Sequence, residues 1–285
     1  MLLGLWLDQP MWLMVGLIIL FFVIVSGIMI AITALPFTRP TFLRVVDGVV
    51  PAFFSSISIL LALLTGFVAN DAWERQKQGA HVVEKERANL IAAFDLSIET
   101  ASNMAGIRQA LLTYTERVID DEWAKMANGG QSSESAGAAL SGLMRILADP
   151  ALTSEAGTVA HTALMTVAMT LRDARGERLA LSASKEDDSK WLTLLFLAAL
   201  TLVSIGMVHG DKHRAQVLTL FLFSAAMVVT LCVIALHERP FDGPLAIGPG
   251  ALERAKQVML AHQAGQIGGL APAPLPGSGG QPVPR

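Results

Sequence analysis

Few side chains in this sequence could do chemistry, and their spacing restricts what that chemistry could be. His209 and His213 stand four residues apart with Asp211 between them, so two imidazoles could share a helix face and hold a metal ion. They fall in a six-residue link between two apolar runs, where solvated polar residues are expected in any case. His81, Glu84 and Glu86 form a second set, but Lys85 and Arg87 are interleaved with them, which reads as an ordinary charged helix face. Asp120-Asp121-Glu122 brings three carboxylates together directly before Trp123. Adjacent helical residues point in different directions, so a cation there would need ligands from elsewhere. No metal site and no cofactor are assigned on these grounds. A Gly-x-Ser-x-Gly elbow, a His-Glu-x-x-His pair, a phosphate-cradling glycine loop and paired cysteines are all missing, and Cys232 stands alone in an apolar run. The expectation is a protein that is not an enzyme.

One further pattern is a stripe. Ser55, Ser58, Ala62, Thr65 and Ala69 follow i, i+3, i+7, i+10 and i+14, which is one face of a helix, with Leu60, Leu64 and Phe67 on the opposite side. Small hydroxyl-bearing residues can line a water-filled path, and they can equally let two helices approach closely. Phe53 and Phe54, at the start of the same segment, could form a constriction or face lipid.

The segments that carry these residues are set by charge. The chain has 285 residues, 53% hydrophobic and 16% charged, against about 25% charged in an average soluble domain. Most of the charge lies between Asn70 and Lys190, and four long runs hold no Asp, Glu, Lys, Arg or His. These are Met11 to Ala34, Val49 to Ala69, Trp191 to Val208 and Ala215 to Leu236. Each falls within the roughly 17–25 residues that cross a bilayer as a helix. The first lacks a basic leader and is longer than the apolar core of a signal peptide. Pro36 and Pro40 end it, while Pro51 falls in the first turn of the second run, where a missing amide costs least.

Four spans divide the chain into a first helix pair (residues 1–69), a soluble helical domain (70–190), a second pair (191–236), a C-terminal segment (237–264) and a tail (265–285). In the domain, Leu90, Ile91, Phe94 and Ile98 recur at helical spacing, as do Ile107, Leu111, Tyr114, Val118 and Ile119. Residues 128–135 form a break, a short helix is predicted over 136–148, and an amphipathic segment over 153–182. No breaker separates the second span from Glu74 and Arg75, so that helix should continue into the domain. The tail is rich in Gly, Pro and Ala and should be disordered. The fold class is all-α, an integral membrane protein. A net charge of −3 gives no reason to expect nucleic acid as a partner.

Four segments carry a resemblance. Gly66-Phe-Val-Ala-Asn-Asp-Ala-Trp73 with Glu74 and Arg75, Ala88-Asn-Leu90, Asp121-Glu-Trp-Ala-Lys-Met126 and Arg239-Pro-Phe-Asp-Gly-Pro-Leu245 resemble, in order and spacing, the bestrophin-like family of bacterial membrane proteins. The likeness runs from about Ile24 to Val258 and makes Asn70, Asp71, Trp73, Glu122, Trp123, Arg239, Pro240 and Phe241 the family-motif residues. It implies a distant relation to bestrophins, which are oligomeric anion channels whose second helix lines the pore. By that implication the chain is a homo-oligomeric ion channel of a bacterial inner membrane, with Ser55, Ser58, Ala62 and Thr65 along its path and inorganic ions as its partners. The alternative is a membrane sensor or scaffold that uses the helical domain for interaction. Lys and Arg in the short loops (Arg39, Arg44, Lys212, Arg214) place those loops in the cytoplasm and the domain outside, whereas likeness to bestrophins implies the reverse.

Overall fold

A computed structural model describes residues 11–47, 51–100, 103–184 and 188–268, and all regular structure among them is helical. In chain order the helices are α1 (Met11–Ala34), α2 (Arg39–Val46), α3 (Pro51–Glu99), α4 (Ala105–Arg117) and α5 (Trp123–Ala127). They continue with α6 (Glu134–Leu147), α7 (Pro150–Ala156), α8 (Thr158–Ala183), α9 (Asp188–Val208), α10 (His213–His237) and α11 (Gly250–Gly268). A single π-helical turn, Val118–Glu122, joins α4 to α5. The chain divides into two compact units, Met1–Glu84 with Glu122–Ser132 and Ala174–Gly248, and Lys85–Asp121 with Ser133–Asp173 and Pro249–Arg285.

The first unit holds the four spans, which lie in α1, the first part of α3, α9 and α10. Their outward faces are apolar: Leu20 and Val23 of α1, Phe196 of α9, and Phe221 and Val229 of α10 are all exposed. Such faces are stable only against hydrocarbon, so the chain is an integral membrane protein. α1, α9 and α10 pack on one another through Ile18, Phe22 and Met29, through Leu194, Ala198 and Leu202, and through Leu220, Leu231 and Ile234. Lipid is as apolar as leucine, so close contact and polar pairs must hold the helices together. Gly206 supplies the contact: a Cβ there would lie 3.3 Å from Met29 Cβ and closer still to its Cε. Thr33 Oγ1 donates to Gln216 Oε1 at 2.7 Å, Gln216 Nε2 donates to the Gly206 carbonyl at 3.1 Å, and the Ser26 and Ser224 hydroxyls pair at 3.2 Å.

The second unit is helical and has its own apolar interior. α4 packs on α6 and on α11, with Leu90 and Phe94 of α3, Ile107 and Leu111 of α4, and Leu140 and Leu143 of α6 fully or nearly buried. Ser133 caps α6 by accepting from Ala136 N–H, and Asp149 caps α7 by accepting from Ala151 N–H at 2.9 Å, with Pro150 at the first helical position. The segment read as one helix from Thr153 is broken at Gly157, whose φ of +79° belongs to the left-handed region and ends α7. α11, which the sequence reading left without a structure, buries Leu252, Ala255 and Met259. The tail expected to be disordered begins at Gly265; α11 runs on to Gly268, and the rest of the tail lies outside the described residues.

α3 is 49 residues long and runs from the second span through to Glu99 without a break. Its predicted start, Val49, lies outside the described residues, and the helix begins at Pro51. After Pro51 it contains no proline, and its Gly66 and Gly79 are single glycines that a long helix tolerates.

Candidate pore helix and the motif residues beside it

The second span differs from the other three in how little of it the chain covers. It is the least covered of the four: 11% of its apolar window is buried, against 17%, 39% and 22% for the first, third and fourth spans. Leu61, Val68 and Ala72 form its buried strip, with Leu64 and Ala69 half-buried beside it. Leu64, grouped by spacing with Leu60 and Phe67, packs against the core, while Leu60 and Phe67 are exposed. Ser55, Ser58 and Ala62 are exposed and Thr65 is half-buried, so the stripe runs alongside the buried strip. Phe54 is half-buried; the side chain of Phe53 is outside the described ones. Thr65 Oγ1 donates to the Leu61 carbonyl at 2.7 Å and Ser58 Oγ to the Phe54 carbonyl at 3.4 Å. These hydroxyls are satisfied by their own helix and still offer oxygen lone pairs outward. Gly66 has nothing within 4 Å of where a Cβ would stand, so among the described residues no other helix approaches there.

The motif residues collect around the same helix where it leaves the membrane. Asp71 pairs with Lys190 at 2.5 Å and the Trp73 ring lies 5.6 Å from that of His237, which ties α3 to the start of α9 and the end of α10. Asn70 is exposed. The segment after α10 folds back on itself, with Ile247 N–H donating to the Pro240 carbonyl at 2.7 Å and Arg239 pairing with Asp242 at 3.2 Å. It seats on α3: Gln76 Nε2 donates to the Leu245 carbonyl at 2.9 Å. A Cβ on Gly79 would meet Ile247 Cδ1 and Pro240 Cβ, each at 2.9 Å. Trp123 holds the other side, donating from Nε1 to the Ile247 carbonyl at 3.1 Å, with its ring edge-on to buried Phe241 at 6.1 Å.

Behind Trp123 lies a buried ion cluster. Glu122 Oε1 accepts from Arg178 Nη2 at 2.8 Å and from Arg175 Nε at 3.1 Å, while Oε2 accepts from Arg175 Nη2. The Arg178 guanidinium stacks 5.0 Å over the Trp123 ring. Burial pushes the Glu122 carboxyl up, but the hydrogen bond from Arg175 and the charges of Arg178 and Arg175 outweigh it and hold the group below the usual carboxylate range. Within the acidic run, then, each carboxylate has its own surroundings: Asp121 accepts from Ser133 and Ser135, and Glu122 from the arginines.

Sequence reading missed Glu86. Placed on a solvated face with His81 and Glu84, it is fully buried and accepts from the Tyr114 hydroxyl at 2.5 Å. Its helical phase with Leu90, Ala93 and Ser97, all buried, was the available signal. Among the described residues no three His, Cys, Asp or Glu side chains are grouped as a metal would require.

Four membrane-crossing helices, the second of them continued to 49 residues, with a helical segment between the second and third spans, define the class of protein. A family model, the Bestrophin-like domain, matches residues 19–252, and the chain belongs to that family. Its fold is that of a bacterial bestrophin homologue from Klebsiella pneumoniae, with a TM-score of 0.66 and 15% identity over 87% of this chain and 98% of that one. A zinc-phased structure of the same homologue gives a TM-score of 0.66 at 13% identity, again over 87% and 98%. A further membrane protein structure gives 0.67 at 12% identity, over 87% and 97%. Identities this low speak for the fold alone. No curated protein matches the chain.

Proposed function

We propose that several copies of this chain assemble around an axis as an ion channel for small inorganic anions, with the second span of each lining the path. The observation that carries this reading is the second span itself, left almost uncovered by its own chain while presenting Ser55, Ser58, Ala62 and Thr65. A helix of that kind is incomplete in one copy. Neighbouring copies would cover part of it and water would fill the rest; the open width at Gly66 suits a permeation wall, and the Ser58 and Thr65 hydroxyls can turn from the Phe54 and Leu61 carbonyls to donate to a passing anion. In this reading Phe53 and Phe54, at the start of the same helix, would form its constriction. Membership of the bestrophin-like family supports the same reading, since the bestrophins it resembles are oligomeric anion channels.

The spans hold no Asp, Glu, Lys, Arg or His at depth, which argues against coupling transport to protons. Asn70, Asp71, Trp73, Glu122, Trp123, Arg239, Pro240 and Phe241 act in this reading as supports that fix α3 where it leaves the membrane. They perform no catalysis, and the protein is not an enzyme. The membrane is the inner membrane of a bacterium.

The test replaces Ser58 and Thr65 with leucine and reads ion flux from proteoliposomes together with oligomer mass. Bulk without a hydroxyl should cut flux in both variants while the oligomer stays intact, and Leu60→Met, on the exposed side, should leave both unchanged. If the stripe only packs helices, leucine overfills a contact at about 1–3 kcal/mol and the oligomer loosens instead. Undiminished flux in Ser58→Leu and Thr65→Leu with an intact oligomer removes this helix from the path.

A further inference from the structure

One end of the four-span unit carries cations that no described residue neutralises. Arg39 and Arg44 on α2, and Lys212 and Arg214 in and just after the α9–α10 link, are exposed and form no ion pair among the described residues. The same two segments contain only two carboxylates, Asp47 and Asp211. The segments touch: a Cβ on Gly210 would lie 3.1 Å from Phe42 Cε1 and 3.5 Å from Leu43 Cδ2. α2 therefore rests on the α9–α10 link, and the two sets of cations share one face of the membrane unit.

Beside these charges the surface is apolar. Phe37 is 90% exposed, Val45 69% and Leu35 53%. Ile32, Phe37, Thr38, Thr41, Phe42 and Val45 line a groove of about 330 Å³. α2 begins four residues after α1 ends, so the groove sits where hydrocarbon gives way to headgroups. Around α2, Phe42, Leu43 and Val46 are half-buried on one side while Thr41, Arg44 and Val45 are exposed on the other, so a free cation stands beside exposed apolar surface, as on a helix lying in the interface plane. Short-loop cations that merely set orientation would need no groove and no fully presented phenylalanine next to them. A phospholipid needs both features, in this vertical order: a phosphate above and an acyl chain below. The excess of cations selects a lipid with net negative charge over a zwitterionic one.

We propose that α2 and the α9–α10 link form a seat for an anionic phospholipid. Arg39, Arg44, Lys212 and Arg214 attract its phosphate, and the groove beside Phe37, Phe42 and Val45 takes the upper part of an acyl chain. Guanidinium groups suit this role, because they offer paired donors to phosphate oxygens and are more weakly hydrated than ammonium.

The test uses the full-length protein in detergent with phosphatidylglycerol and phosphatidylcholine in equal amounts, read by native mass spectrometry. Retention of phosphatidylglycerol over phosphatidylcholine is expected. The fourfold variant Arg39→Gln, Arg44→Gln, Lys212→Gln, Arg214→Gln should lose that preference by at least tenfold, since each cation near an anionic surface contributes about fivefold. The control Lys77→Gln, Arg254→Gln removes exposed cations elsewhere and should bind as the parent does. A second readout needs no substitution: phosphatidylglycerol should raise the thermal midpoint of the parent protein, and neither phosphatidylcholine nor inorganic phosphate should. The proposal is overturned if the control loses the preference as the fourfold variant does, if the fourfold variant keeps it, or if inorganic phosphate stabilises equally well.

Discussion

Removal of the Glu122 carboxylate is the perturbation whose size the structure fixes best. The side chains of Glu122 and Arg178 are fully buried and that of Arg175 is 13% exposed, so water screens the cluster little. Both carboxylate oxygens are occupied, by three N–H donors from two guanidinium groups. Glu122→Ala takes away all three acceptor contacts and leaves two cations close together, for a cost of about 3–5 kcal/mol. That would lower the apparent thermal midpoint by roughly 6–20 °C. Glu122→Gln keeps one carbonyl oxygen but turns an amide donor towards a guanidinium, so its cost should be nearly as large. Paired substitution of Glu122 and Arg178 by Gln and Met should cost less than the sum of the two single changes, because the fully buried Arg178 cation is removed together with its carboxylate and Arg175 keeps the Gln carbonyl as an acceptor.

The pH dependence has a definite sign. A carboxyl whose folded pKa is depressed contributes stability above its unfolded pKa and loses it as pH falls through the folded value. Unfolding midpoints followed from pH 7 downward in detergent should therefore fall below the normal carboxylate range, and this part of the fall should vanish in Glu122→Gln. The reasoning is refuted if Glu122→Ala costs under 1 kcal/mol, or if the acid limb is the same with and without the carboxylate.

Three further outcomes can be checked with the same protein. Gly79→Val places side-chain atoms where Ile247 and Pro240 already stand, so it should free the segment after α10. Faster amide exchange at Ile247 and a loss of about 1–3 kcal/mol are expected. Tyr114→Phe removes the hydroxyl that donates to buried Glu86 and should cost about 1–3 kcal/mol in thermal unfolding, the usual penalty for leaving a buried acceptor without that donor. Single cysteines at Lys77 and Lys212, in a Cys232→Ser background, should react with an impermeant thiol reagent from opposite sides of sealed vesicles. Loop charge predicts Lys212 on the cytoplasmic side, and likeness to bestrophins implies Lys77 there.

The membrane elements were legible because lipid imposes a compositional rule that a sequence displays directly. Uncharged runs of bilayer length place α1, α9 and α10, and the want of a breaker after the second span foretells the length of α3. What composition does not carry is partnership between distant residues. Glu86 was misread because Lys85 and Arg87 flank it, and its partner Tyr114 is 28 residues away. Glu122 meets Arg175 and Arg178, which are 53 and 56 residues further on. α11 was missed because its buried stripe of Leu252, Ala255 and Met259 is short and set among polar residues. Gly157 passed unread as a helix end, since a lone glycine costs a helix only about 1 kcal/mol and its positive φ is visible only in three dimensions. The Ser55–Thr65 stripe was legible as a face, but how little of the second span its own chain covers comes from the packed structure.

Planar-bilayer recording of the purified oligomer under a potassium chloride gradient tests the central claim most directly. A path lined by the second spans should give discrete unitary currents that reverse near the chloride equilibrium potential and shrink in Ser58→Leu and Thr65→Leu. Silent bilayers containing protein of proven oligomeric mass would contradict it.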